Sequence, residues 1–209
     1  DTIAGVGTII GGGTETADDG WRLDRSTSVV RDDWVSNPSV GLTAIGTAKA
    51  YIAGARYDAT VGTDRFVYLD GAVDFSESEA STRTTATTAT NYIGQNAGGA
   101  QDFDGRIAEI IIYSAASGQV ATAAETQKID SYLAIKYGIT MDPDTNNNAT
   151  PGDAPNGDGI NEGDYVLSTG AVVWDYTAST GFLSDIFGIA RDDAGALAQV
   201  KSKSMEADG

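Results

Sequence analysis

RFVYLDG, residues 65–71, is the stretch on which the fold class turns. Phe66 and Tyr68 alternate with Val67 as in a half-buried strand, and Asp70-Gly71 is a two-residue turn signal that reverses it. Working outward, residues 8–10, 29–30 and 50–53 are further short apolar or alternating runs, separated by Gly, Asp and Asn. Residues 82–90, TRTTATTAT, are β-branched and favour a strand. Residues 105–113, GRIAEIIIY, are the most apolar segment and are expected to form a central strand. Strands recurring about every ten residues predict a mainly β, antiparallel sandwich rather than βαβ units.

One helix is expected near residues 120–137. Thr122 and Glu125 have capping-box spacing, in which hydroxyl and carboxylate each satisfy an amide at the helix end. Ile129, Leu133 and Lys136/Tyr137 recur at helical period, Tyr132 and Ile135 widen the apolar stripe, and Gly138 is the left-handed stop. The stripe reads as core. Residues 165–167, 171–174 and 186–190 look like strands again. The expected organisation is a sandwich over 1–113, a packed helix over 114–140, and an acidic loop with a β extension over 141–209, all in one domain.

Composition removes whole classes of chemistry. The 209 residues contain no Cys and no His, which excludes disulfides, Cys/His zinc sites and histidine-based triads. Thirteen Lys and Arg against 30 Asp and Glu give a net charge of −17, which argues against nucleic acid and against an anionic membrane surface. No run of about eighteen apolar residues is present to insert in a membrane. The chain opens inside an apparent strand and stops without a closing element, so it is expected to be part of a longer polypeptide.

Residues 142–164 change character to DPDTNNNATPGDAPNGDGINEGD, with no Lys or Arg. Asp142, Asp144, Asn146 and Asn148 alternate, with Thr150 and Asp153 behind them, matching the oxygen positions of an EF-hand-type loop. Position 6 of that pattern is Asn147 rather than Gly, and position 12 is the short Asp153. A second cluster holds Asn156, Asp158, Glu162 and Asp164, and its NGDGIN resembles a dockerin-type loop one residue short. Carboxylate and amide oxygens select Ca2+ over zinc or copper, and calcium would relieve the mutual repulsion of the acids. The alternative is a solvated acidic linker.

Residues 66–71, together with Tyr92-Ile-Gly94 and FDGRIAEIIIY at 103–113, resemble the strand-turn and closing segments of laminin-G-type, concanavalin-like jelly rolls. KIDSYLAIKYGIT at 128–140 is similar to a helix and tail that follow this jelly roll in large bacterial surface proteins. DYVLSTGAVVWD at 164–175 and IFGIARDDAGALAQVKSKS at 186–204 resemble the segments that come next there. The resemblance covers roughly residues 5–204, and a full unit of this kind has earlier strands as well. It implies a ligand-binding module of a calcium-dependent adhesin of the repeats-in-toxin kind, extracellular on the bacterial cell surface. The expected partner is a peptide C-terminus or a glycan on another cell, held by a calcium ion with an open position.

Candidate ligand contacts are Tyr92, Gln95, Asn96, Asp102 and Asp104, in a Gly-rich loop whose amides can bond a peptide backbone or sugar. A polar β-turn is the equal alternative. Trp174 reads as core, and Asp192 and Asp193 beside Arg191 as a salt-bridged turn. A structural spacer without a ligand remains open. A glycan-active hydrolase is disfavoured because Glu109 stands alone on its segment, where a glycosidase needs paired carboxylates. Ice binding is disfavoured because residues 82–90 form a single Thr-rich run.

Overall fold

A computed structural model of the chain describes residues 6–13, 20–34, 37–46, 49–58, 64–78, 90–99, 101–113, 121–141, 163–182 and 185–205. The architecture is mainly β, with antiparallel sheets and one helix, consistent with a concanavalin-like sandwich. None of the described helices is long and apolar enough to cross a membrane. The chain divides into two compact units.

The first unit comprises Asp1–Ile45, Gly54–Val67 and Phe75–Val120. Its main sheet has five strands in the order β4-β3-β2-β1-β8. These are β1 (Val6–Gly12), β2 (Trp21–Ser26), β3 (Val29–Trp34), β4 (Asn37–Val40) and β8 (Asn91–Ile93). β1 carries a register shift between Thr8 and Ile10, and a bulge of this kind turns the following side chains to the other face. A three-stranded sheet contains β5 (Ala53–Asp58), β6 (Asp64–Leu69) and β7 (Ala72–Ser78) in that order. Asp70 and Gly71 join β6 to β7 with φ of 48° and 93°. Two consecutive positive φ angles are what a type I′ hairpin turn demands, and Asp-Gly is suited to it.

Residues of the two sheets meet within this unit through a buried cation. Arg65 on β6 has no exposed side-chain surface; its Nε lies 3.2 Å from Asp32 Oδ2 and its Nη1 2.9 Å from Glu77 Oε1. Its Nη2 also donates to the Asp32 carbonyl at 2.7 Å, and Ser39 Oγ donates to Glu77. A buried guanidinium is tolerated where its donors find several acceptors, as here.

The second unit comprises Gly46–Ala53, Tyr68–Asp74 and Ala121–Gly209. It contains α1 (Ala123–Tyr137), the hairpin of β9 (Tyr165–Val166) with β10 (Val172–Trp174), and that of β11 (Ala190–Asp192) with β12 (Leu197–Gln199). Both predicted helix ends are realised. Glu125 N–H donates to Thr122 Oγ1 at 3.2 Å and Thr122 N–H donates to Glu125 Oε2 at 2.7 Å. Gly138 is left-handed at φ 66°. The unit's core is Ile52, Ala134, Ile135, Ile139, Met141, Tyr165, Ile186 and Leu197, with Trp174 half-buried against it.

Several expectations are met in part. No strand is assigned over 105–113 among the described residues, where Ile112 and Tyr113 are exposed. Of residues 50–53 only Ala53 is in a strand, and of 186–190 only Ala190. The helix buries Ala134 and Ile135 in the core with Tyr132, Leu133 and Tyr137 packed half-buried against it, as the stripe predicts, and also buries Asp130 and Ser131, which the stripe does not include. Ser131 is drawn inward because its Oγ accepts the Val166 N–H at 2.9 Å, supplying a buried backbone donor of β9. Residues 82–89 lie outside the described residues.

Candidate functional site

The acidic segment is described at its base. Asp142, Asp144, Asn146, Asn148, Asp153, Asn156, Asp158 and Glu162 lie outside the described residues, and of the expected ligands Asp164 is placed. The two ends of the segment are fastened by one side chain. The buried Tyr165 hydroxyl accepts the Met141 N–H at 2.9 Å and donates to the Ile139 carbonyl at 3.2 Å. Asp164 is half-buried; its Oδ1 accepts the Tyr176 N–H at 2.7 Å, and its carbonyl accepts from Gln127 Nε2 at 3.3 Å. Burial raises its pKa, the Asp175 charge adds to that, and the Tyr176 bond opposes it.

Gly163 is required by close packing, since a Cβ there would stand 2.7 Å from the Tyr176 ring. A divalent cation beside Asp164 would offset the cost of keeping its half-buried carboxylate charged, and a carboxylate oxygen is a donor suited to a hard cation. Among the described residues no three carboxylates gather as a metal-holding group.

The predicted ligand loop folds back along β1. Ile10, Gly11 and Gly12 pair with Ile93, Tyr92 and Asn91. Beyond that ladder, Gly94 N–H donates to the Ile9 carbonyl at 2.9 Å, Thr8 N–H to the Gln101 carbonyl at 2.8 Å, and Phe103 N–H to the Gly94 carbonyl at 2.8 Å. Gly7 permits this approach, because a Cβ there would lie 3.1 Å from the Asp102 carbonyl oxygen. Asn96 is buried and Tyr92 half-buried, whereas Gln95, Asp102 and Asp104 are exposed. Tyr92 therefore lies on the edge strand β8, and Gln95, Asn96, Asp102 and Asp104 follow in the turns whose main chain bonds to β1.

A cluster that the sequence reading passed over lies on β2 and β3. Pairing sets Arg22 opposite Asp33 and Asp24 opposite Arg31. Arg22 Nη2 bonds Asp33 Oδ2, Arg22 Nη1 donates to Gln101 Oε1 at 3.0 Å, and Arg22 Nε stands 3.4 Å from Asp24 Oδ2. Arg31 Nη2 lies 2.6 Å from Asp24 Oδ2 and 3.1 Å from Asp33 Oδ2. The available signal was the alternation Trp-Arg-Leu-Asp at 21–24, a strand pattern with charges on one face. Elsewhere, Asp192 is a structural clamp. Its Oδ2 accepts the Ser168 N–H at 2.6 Å and its Oδ1 the Ser168 hydroxyl at 2.8 Å. These bonds hold its pKa below the usual carboxylate range. Arg191 pairs with Asp193 at 2.7 Å on the exposed surface.

Residues 125–209 match a family described as a domain of unknown function (DUF8202). No curated protein and no solved structure matches the chain. Residues 34–120 match the concanavalin A-like lectin/glucanases superfamily, and over that stretch the chain carries a domain similar to those proteins.

Proposed function

We propose that the chain is a calcium-dependent ligand-binding module of an extracellular bacterial surface adhesin, taking peptide ends or glycans and catalysing no reaction. The superfamily similarity over residues 34–120 supports ligand or carbohydrate binding. The observation that carries the calcium part is the Tyr165 hydroxyl, which holds residues 139, 141 and 165 together. Calcium would relieve the mutual repulsion of the acids in the segment whose ends that hydroxyl joins. Absence of catalysis is supported by the setting of Asp24 and Asp33. Each is ion-paired to both Arg22 and Arg31, an arrangement that orders a face rather than flanking a scissile bond.

The test is calorimetric titration of calcium into chelator-stripped protein, followed by peptide and glycan arrays with and without calcium. Calcium uptake with ligand capture that chelator abolishes is the expected result; no calcium uptake overturns it. A spacer is the second reading, favoured by the main-chain bonds that commit residues 94–103 to β1. Calcium uptake with empty arrays would establish the spacer.

A further inference from the structure

We propose that the charged face of β2 and β3, built from Thr8, Arg22, Asp24, Arg31 and Asp33 and edged by Tyr92 and Gln101, binds a neutral saccharide through its hydroxyl groups. This deepens the ligand-binding reading above and rests on it. All these residues belong to the first unit. Register places them together: Thr8 is opposite Asp24, Gly11 is opposite both Arg22 and Tyr92, and Arg22 is opposite Asp33. Directly paired residues share a face of the sheet, as do alternate residues along a strand. The opposite face of the same strands carries Asp32, which takes Arg65.

The face is ion-paired and still holds unused hydrogen-bonding capacity. Thr8 Oγ1, Asp24 Oδ1, Asp33 Oδ1 and Arg31 Nε are buried and have no hydrogen-bond partner among the described residues. Buried polar atoms are almost always satisfied, so four orphans on neighbouring residues of one face require an explanation. They comprise two carboxylate acceptors, one guanidinium donor and one hydroxyl that can do either. Arg22 and Arg31 keep 12% and 14% of their side-chain surface exposed while Asp24 keeps none, so the guanidiniums are the outer part of the cluster and the carboxylates lie beneath them.

Charge balance selects the ligand. Two guanidiniums face two carboxylates, so the cluster is neutral: a cation would meet Arg22 and Arg31, and an anion would meet Asp24 and Asp33. A sugar hydroxyl avoids both penalties, because it donates to a carboxylate oxygen and accepts from a guanidinium at once. Tyr92, half-buried at the edge of the same row, adds an aromatic surface. Apart from Tyr92 and Gln101, these residues precede the stretch similar to concanavalin A-like lectins and glucanases, which begins at residue 34.

The experiment uses the whole chain in saturating calcium, on arrays of neutral oligosaccharides, sialylated and uronic-acid oligosaccharides, and peptides. Captured neutral oligosaccharide is then titrated calorimetrically into wild type, Asp33→Asn and Thr8→Val. The expected result is capture of neutral saccharide, weakened about 10- to 100-fold by Asp33→Asn and roughly 3- to 10-fold by Thr8→Val. Thr8→Val leaves the ion pairs intact and removes an unsatisfied hydroxyl. It should therefore raise the ligand-free melting temperature by roughly 2–4 °C while weakening binding, which a folding defect cannot imitate. Neutral saccharide bound equally by all three proteins would overturn this site and leave the ligand-binding reading standing. Preference for anionic sugars or for peptide ends would overturn its chemistry. No capture on any array would remove the ligand-binding reading and this site together.

Discussion

Asp130 shows how a single residue can oppose the fold that contains it. It faces the core from α1, and its Oδ2 is buried without a hydrogen-bond partner among the described residues. Burial pushes its pKa up to about 7, and the nearby charge of Asp70 pushes in the same direction. Asp70 is itself held, by Lys49 Nζ at 3.2 Å and by the Ile52 N–H at 2.8 Å. The folded state therefore retains a proton that the unfolded chain releases near pH 4, and stability from this group is full below that pH. It declines as pH rises toward 7 and is flat beyond. Asp130→Asn should remove the decline. Its stability advantage over wild type should be small near pH 4, grow through pH 7 and level off at up to about 4 kcal/mol. Urea midpoints of both proteins from pH 4 to 9 would measure it; an advantage that does not change with pH refutes the assignment.

Among the elements, those specified by local chemistry were legible in the sequence and those specified by partners were not. The β6–β7 hairpin follows from alternation plus Asp70-Gly71, and α1 from Thr122, Glu125 and Gly138; each rests on bonds within a few residues. Ser131 of α1 is inside to meet a donor thirty-five residues away, a property of its surroundings rather than of its local sequence. The two helix caps differ in what they should cost when lost. Thr122→Ala removes one cap and should lower stability by about 1 kcal/mol. Gly138→Ala should cost several times that: φ is 66°, and the new Cβ would fall 2.0 Å from the Lys203 carbonyl oxygen, against which the helix end packs. Chemical denaturation of both variants decides it; equal losses would mean that residue 203 is not fixed there.

At the scale of the whole chain, a net charge of −17 in 209 residues makes any binding of cations a stability term. Asn substitution of Asp142, Asp144 and Asp153 together should abolish the stabilisation that calcium confers, about 2.7 kcal/mol at a hundredfold excess over Kd. In chelator the same variant should be no less stable than wild type, since it carries fewer like charges. Calorimetric melting with and without calcium tests both statements, and an undiminished calcium shift would refute the assignment. The acidic segment is a feature of the sequence itself, and its residues 142–162 lie outside the described residues. The face on β2 and β3 was not legible in the sequence, because its meaning arises when Arg22 meets Asp33 and Asp24 meets Arg31 across a ladder.

The Tyr165 hydroxyl has a further consequence, for how such a chain can be altered. Because residues 139 and 141 are tethered to residue 165, the ends from which the segment 142–162 departs and to which it returns are set by the framework. Doubling the length of a loop costs only about 0.6 kcal/mol in closure entropy. A foreign segment of another length grafted between Met141 and Gly163 should therefore leave the framework folded.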